Sequence, residues 1–464
     1  MSFEHRKALE DTYKSSLMIN KDLNRTLVSF QANKKLPFYR WFKYKEGFSA
    51  PMMNYFITHS GLNGHSKLLD PFTGSGVALF SALNRGMDPS GIELLPVGPY
   101  IISNRIKSAK VPIEDIEKAL NGCISIDFTK YLSSSSTFNH ISITEGAFPK
   151  ETEKEMLGFL NYVKEHFRNA NTRSVLKFAV FCTLEKISYT RKDGQYLRWD
   201  HRAKKNNFSN NNFDKGKIPK FRDAIIDKLS EFREDLLLWS LEEQSLNSEN
   251  IDLVEGSVLE LLPEIPPQSV DIIITSPPYC NRYDYTRTYA LELAFLGVND
   301  NGIKRLRQEL LTCTVENREK TESLRNNYIE KNRLDDFNKI VKTYNSQAAM
   351  QEVNFELERL RTTDHLNNPN IVRMVKNYFF ELCFVIFELY RTLKHGGLVY
   401  MVNDNVRYGG EEIPVDLILS DFAAKAGFHI KNIWTLNIGK GNSSQQMGAH
   451  GRTELRKCVY VWKK

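Results

Sequence analysis

Short, nearly continuous apolar runs alternate along this chain with longer segments whose apolar positions recur every three to four residues. Lys67–Leu69 and Gly91–Leu94 read as strands, IDLVEGSV from Ile251 as a third, and SVDIIIT from Ser269 as a fourth. The fourth keeps Ile272, Ile273 and Ile274 in unbroken succession, the pattern of a central parallel strand buried on both faces. Helical periodicity covers Val77–Arg85, Ile371–Lys394 and Pro414–Ala426, and His395-Gly396-Gly397 reads as the C-cap of the second of these. Leu398–Val402, Ile430–Leu436 and Lys457–Trp462 read as late strands. Strands alternating with helices predict an α/β fold, doubly wound around a mostly parallel sheet. Residues 109–249 and 301–370 interrupt that rhythm without any Gly/Ser-rich or Pro-rich tract, so both are expected to be ordered insertions on one core.

Composition narrows the class. Of 464 residues 41% are apolar, enough for a sizeable core, which argues against wholesale disorder. The opening residues MSFEHRKALEDTYKSS lack a basic-then-apolar leader pattern, and the most apolar segment, Tyr378–Leu389, is broken by Glu381 and Glu388. A cytoplasmic protein with no membrane partner is expected. The six cysteines are scattered without a C-x-x-C pair or a histidine at ligand spacing, so reduced thiols are expected, with no disulfide framework and no metal.

Candidate chemistry begins at DPFTGSG, residues 70–76. In open α/β sheets a glycine turn at a strand's carboxyl end lets backbone approach a ligand, and the following helix adds N–H groups. Glu93 lies about 20 residues on, the spacing of a carboxylate that accepts the hydrogen bonds of a ribose diol. No G-K-[ST] follows, so a nucleoside without a pyrophosphate fits better than a nucleotide phosphate. The second signal is TSPPY, residues 275–279. Prolines hold Ser276-Pro277-Pro278-Tyr279 extended, aiming carbonyls in set directions. Those carbonyls and the Ser276 hydroxyl can accept from an amine, while Tyr279 offers a flat face for a heterocycle.

Together DPFTGSG, the GIE ending at Glu93 and TSPPY resemble the S-adenosylmethionine-dependent amino-methyltransferases that modify exocyclic amines of DNA bases. The resemblance covers residues 37–105, 251–298 and 371–464. It implies a Rossmann-like methyltransferase core with Asp70, Phe72, Gly74, Gly76 and Glu93 at the cofactor, and Ser276, Pro277, Pro278 and Tyr279 at the base. FYRWFKYKEGFSAPM, residues 38–52, resembles the element that closes over the methionine end of the cofactor, which adds Phe48 and Ser49. Residues 37–108 would then form the cofactor-binding half, 109–249 a target-recognition insertion and 250–300 the catalytic strand and corner. Residues 301–370 would be a helical insertion and 371–464 the rest of the core. Ser257 in VEGSV departs from the pattern, standing where an acid near the adenine is expected.

A serine before Pro-Pro-Tyr usually accompanies cytosine N4 in this family, and Asp or Asn accompanies adenine N6. The resemblance therefore implies an N4-cytosine enzyme with the base rotated out of double-stranded DNA, in restriction-modification or epigenetic marking, with a cognate restriction endonuclease as a possible partner. Adenine N6, a base in RNA, and DNA binding without catalysis are the alternatives. Cys280 follows the tyrosine and is displaced from the position of a C5 nucleophile, so it reads as a small packed residue. Charge supplies the DNA face. The chain carries a net +7, and the basic excess within residues 186–222 is larger than that. Arg191, Lys192, Arg198, Arg202, Lys204 and Lys205 there, interleaved with aromatic residues, are expected to meet phosphates, as are Arg282 and Arg287 beyond the corner. Asn206–Asn212 could reach base edges, and the glycine-rich segment Gly439–Arg452 is expected near the same site.

Overall fold

The structure, a computed structural model, describes residues 4–45, 47–194, 196–204, 213–241, 251–436 and 455–464. Lys205, Asn206–Asn212 and Gly439–Arg452 lie outside the described residues. The architecture is built on an eight-stranded sheet of β1 (Leu17–Ile19), β2 (Lys67–Asp70), β3 (Asp88–Glu93), β4 (Asp252–Glu255), β5 (Val270–Thr275), β6 (Leu393–Asp404), β7 (His429–Thr435) and β8 (Lys457–Lys463). Their spatial order is β1-β7-β8-β6-β5-β2-β3-β4. Every neighbouring pair is parallel except those made by β8, which runs antiparallel to β7 and β6. This is a Rossmann-like α/β fold with a mostly parallel sheet.

The alternation of side chains along the strands makes two separate cores. Ile272, Ile274, Tyr400, Val402, Val459 and Val461 pack on one face with Ala50–Ser60 and Val77–Leu83 helices. Ile273, Val399, Met401, Cys458, Tyr460 and Trp462 pack on the other against the helices Ile371–Thr392 and Val415–Ala426. Period-2 burial on both faces is why Ile272–Ile274 tolerates no polar residue.

Two features differ from the sequence reading. His395-Gly396-Gly397 does not cap a helix, which ends at Thr392, but lies inside β6. Gly397 is required by close approach instead, since a Cβ there would sit 2.9 Å from the Asp271 carbonyl and 2.7 Å from Leu393. β1, unread in the sequence, extends the sheet edge by pairing Leu17–Ile19 with Ile433–Thr435. Among the described residues no helix is long and apolar enough to cross a membrane.

The segment between β3 and β4 forms a third core, in which Phe128, Phe159, Phe178, Phe181 and Phe232 gather with Trp41 and Phe42. The segment between β5 and β6 is helical and is held by buried acids of the Ile371–Thr392 helix. Glu381 accepts from the Thr312 amide (2.7 Å) and Lys320 Nζ (2.8 Å), and Glu388 accepts from the Tyr328 hydroxyl (2.8 Å).

Candidate active site

Four parallel strands, β5, β2, β3 and β4, end on the same edge, and a cleft of about 760 Å³, part of it open to solvent, lies beyond their carboxyl ends. The turn after β2 supplies Phe72 and Gly74, the end of β3 supplies Glu93, and β4 is followed by Gly256 and Ser257. The corner after β5 contributes Ser276 and Pro278, and Phe48 closes one side.

The turn is shaped by its glycines. Gly74 and Gly76 have φ of +54° and +79°, left-handed values that favour glycine. A Cβ on Gly76 would also fall 2.6 Å from Ile102 Cγ1. Glu93 then clamps the turn, with Oε2 accepting from the Gly74 amide at 2.6 Å and Oε1 from the Leu95 amide at 2.8 Å. Burial pushes its pKa up to about 6, against the opposing pull of those amides. Each carboxylate oxygen retains a second acceptor direction, and Glu93 lines the cleft.

Asp70 ties the turn to the corner. Its Oδ1 accepts from the Phe72 amide (3.1 Å) and from the Thr275 hydroxyl (2.9 Å) at the end of β5. Burial raises this carboxyl to about 7. Next to Thr275, the Ser276 hydroxyl donates to the Val402 carbonyl at 3.1 Å and lies 3.4 Å from the Tyr279 hydroxyl. Its hydrogen is thereby committed to protein, and its lone pairs are left to accept. Pro277 and Pro278 are buried, and Tyr279 is half-buried. Cys280 is fully buried, with its thiol pushed up by burial, and its carbonyl accepts from the Tyr408 hydroxyl at 2.6 Å.

Not every expected residue comes to the cleft. The buried Ser49 side chain is used as the N-cap of the Ala50–Ser60 helix, accepting from the Met52 amide at 3.2 Å and donating to the Leu27 carbonyl. In the basic segment Lys192 is corrected. Lys192 is 2% exposed, ion-paired with the equally buried Glu292, and its ammonium lies 4.9 and 4.7 Å from the Phe42 and Tyr289 ring centres. A cation so enclosed cannot meet DNA phosphates. Arg202 grips the buried Asp200 through two bonds of 2.6 and 2.8 Å, and Arg198 pairs with Asp193 at 3.1 Å and covers the Phe213 ring. Arg191 and Lys204 are exposed. Arg282, at φ +65°, donates to Asn367 Oδ1 at 3.1 Å, while Arg287 is 41% exposed and pairs with Asp284 and Glu316.

The Lys192–Glu292 pair yields a stability prediction. Lys192→Met leaves the Glu292 carboxylate buried and uncompensated, which is expected to cost about 3–5 kcal/mol. Urea unfolding should show the loss, and adding Glu292→Leu should recover most of it. A single variant as stable as the wild type would refute this account.

The structure brings in residues that sequence reasoning missed. Tyr44 is buried against the turn, with its ring 3.1 Å from where a Gly74 Cβ would lie, and stacks on Tyr289 at 5.0 Å. Tyr285, Glu309, Leu310 and Leu311 also line the cleft. Tyr44 had a weak signal in the aromatic density of FYRWFKYKEGF, whereas Glu309 lies in an otherwise ordinary charged helix.

A Rossmann-like sheet with a glycine turn clamped by a carboxylate, joined through Asp70 and Thr275 to a proline corner, defines a methyltransferase. The chain belongs to the type II methyltransferases. It is 46% identical over 462 residues to "Type II methyltransferase M.AvaI" of Nostoc sp. (strain PCC 7120 / SAG 25.82 / UTEX 2576) and of Anabaena variabilis, covering 99% of this chain and 93% of each relative. It is 39% identical over 472 residues to "Type II methyltransferase M.BsoBI" of Geobacillus stearothermophilus, covering 99% and 92%. No family model matches the chain.

Proposed function

We propose that this chain is a site-specific DNA methyltransferase of a restriction-modification system that transfers a methyl group from S-adenosylmethionine to the N4 amine of a flipped-out cytosine. The observation that carries the reading is the Ser276 hydroxyl, whose hydrogen is given to the Val402 carbonyl and whose lone pairs remain for an amine. The residues fit the cofactor: Glu93 offers acceptors for a ribose diol, and the left-handed glycine turn brings backbone to the same cleft. When bound, S-adenosylmethionine supplies an electrophilic methyl group on a positively charged sulfur. Asp70, Phe72, Gly74, Gly76 and Phe48 shape the pocket that holds it.

Rotating a cytosine out of the duplex costs a few kcal/mol. Tyr279 offsets part of that cost by stacking on the ring. Ser276 Oγ and the Pro277 carbonyl accept from the two amine hydrogens, which favours the pyramidal nitrogen whose lone pair attacks. Pro277 and Pro278 keep those acceptors fixed, so little reorganisation is needed during transfer. No cysteine nucleophile is involved in this reading, and Cys280 is a packing residue.

DNA would approach over the insertion hairpin, where Arg191 stands directly opposite Arg198 in the strand pairing. Lys204, Arg282 and Arg287 would extend that contact, in a cytoplasmic protein working beside a cognate endonuclease. Mass spectrometry of nucleosides from DNA of an expressing host is expected to reveal N4-methylcytosine. N6-methyladenine in its place, or a methylated base in RNA alone, would overturn the target assignment.

A further inference from the structure

The cleft has an end that the sequence leaves without its expected acid. It runs from Ser276 and Pro278 at the reacting corner, past Gly74 and Glu93, to Gly256 and Ser257 after β4. The purine of a nucleoside whose ribose meets Glu93 therefore lies at the Ser257 end, farthest from the corner. A purine with an exocyclic amine needs an acceptor there, and a serine hydroxyl is a weak substitute for a carboxylate.

Ser257 is committed elsewhere. Its hydroxyl donates to the main-chain carbonyl of Glu309 at 3.1 Å. Glu309 is the last residue of the Asp300–Glu309 helix, and it lines the same end of the cleft with Leu310 and Leu311. Its carboxylate is oddly placed for a structural role. A negative charge at a helix C-terminus opposes the helix dipole. Its ion pair with Arg305 is loose, at 3.7 Å to a guanidinium that is 75% exposed, and such pairs contribute little. The Glu309 side chain itself is 40% exposed.

We infer that Glu309 supplies the carboxylate that accepts from the purine 6-amino group, and that Ser257 acts as a positioning residue by pinning the end of the helix that delivers it. An acid at position 257 would face the Glu309 main-chain carbonyl, a second acceptor, at close range. Serine there donates to that carbonyl instead. The adenine end of the site is thus built by the helical insertion between β5 and β6, not by the strand ends alone.

The inference rests on the cofactor reading above, and the test separates the two. Isothermal titration of the full chain with S-adenosyl-L-homocysteine, and with its purine-riboside analogue lacking the 6-amino group, measures the preference for the amine. The wild type is expected to favour the amino form about tenfold, the scale of one charge-assisted hydrogen bond. Glu309→Ala should bring that preference close to unity while still binding the deamino analogue as the wild type does. If the wild type binds neither compound, the cofactor reading falls. If it binds both equally, or if Glu309→Ala keeps the preference, the role of Glu309 is overturned while the cofactor reading stands.

Discussion

Tyr279→Ala is expected to reduce methyl transfer to DNA by at least about a hundredfold while leaving S-adenosyl-L-homocysteine affinity within about twofold of the wild type. Stacking of one base on an aromatic ring contributes about 1–3 kcal/mol. Losing it also lets the amine drift, and displacement by about an ångström can itself cost about a hundredfold. Cofactor binding should survive because Tyr279, unlike Gly74 and Glu93, is not among the residues lining the cleft. The Tyr279 hydroxyl is separable from the ring. It lies 3.4 Å from the Ser276 hydroxyl, a contact at the edge of hydrogen bonding, and Ser276 has the Val402 carbonyl as its nearer partner. Tyr279→Phe should therefore keep activity within about tenfold. Single-turnover methylation of a duplex containing the target site, alongside calorimetry, measures both quantities. Wild-type turnover by Tyr279→Ala would show that the corner does not hold the base.

The parts of the site legible in the sequence are those where backbone shape dictates residue type. A left-handed turn demands Gly74 and Gly76, and an extended corner is written by Pro277 and Pro278. β5 announces itself because burial on two faces forbids polar positions. Charge was far less legible. Lys192 looks like any other cation of the basic run until Glu292, 100 residues away in sequence, is folded against it. Arg202 is similarly absorbed by Asp200, whose own pKa is driven down chiefly by that guanidinium. A run of lysines and arginines reports sign, not destination, because only tertiary packing decides which carboxylates they reach. Glu309 and Tyr44 escaped for the same reason. Each comes to the cleft through a contact distant in sequence, Ser257 with the Glu309 carbonyl and Gly74 with the Tyr44 ring.

A third glycine shows how closely the site is packed, and its replacement is the second large effect expected. Gly98 sits at the second position of the Val97–Ser108 helix. At an ordinary helical position Gly→Ala stabilises by up to about 1 kcal/mol. Here a Cβ would fall 2.4 Å from the Gly74 carbonyl oxygen and 2.7 Å from Glu93 Cγ. Neither neighbour can yield cheaply. Gly74 is held by Glu93, and Glu93 is held in turn by the Gly74 and Leu95 amides, so the helix start, the turn and the acid must shift together. Overpacking of this kind costs about 1–3 kcal/mol. Because the displaced groups line the cleft, much of that cost should appear in binding. Gly98→Ala is thus expected to weaken S-adenosyl-L-homocysteine binding by at least about tenfold, with far-UV circular dichroism unchanged. Undiminished affinity in a folded Gly98→Ala protein would mean that the turn and Glu93 can separate without loss. The clamp between them would then not be what shapes the cofactor site.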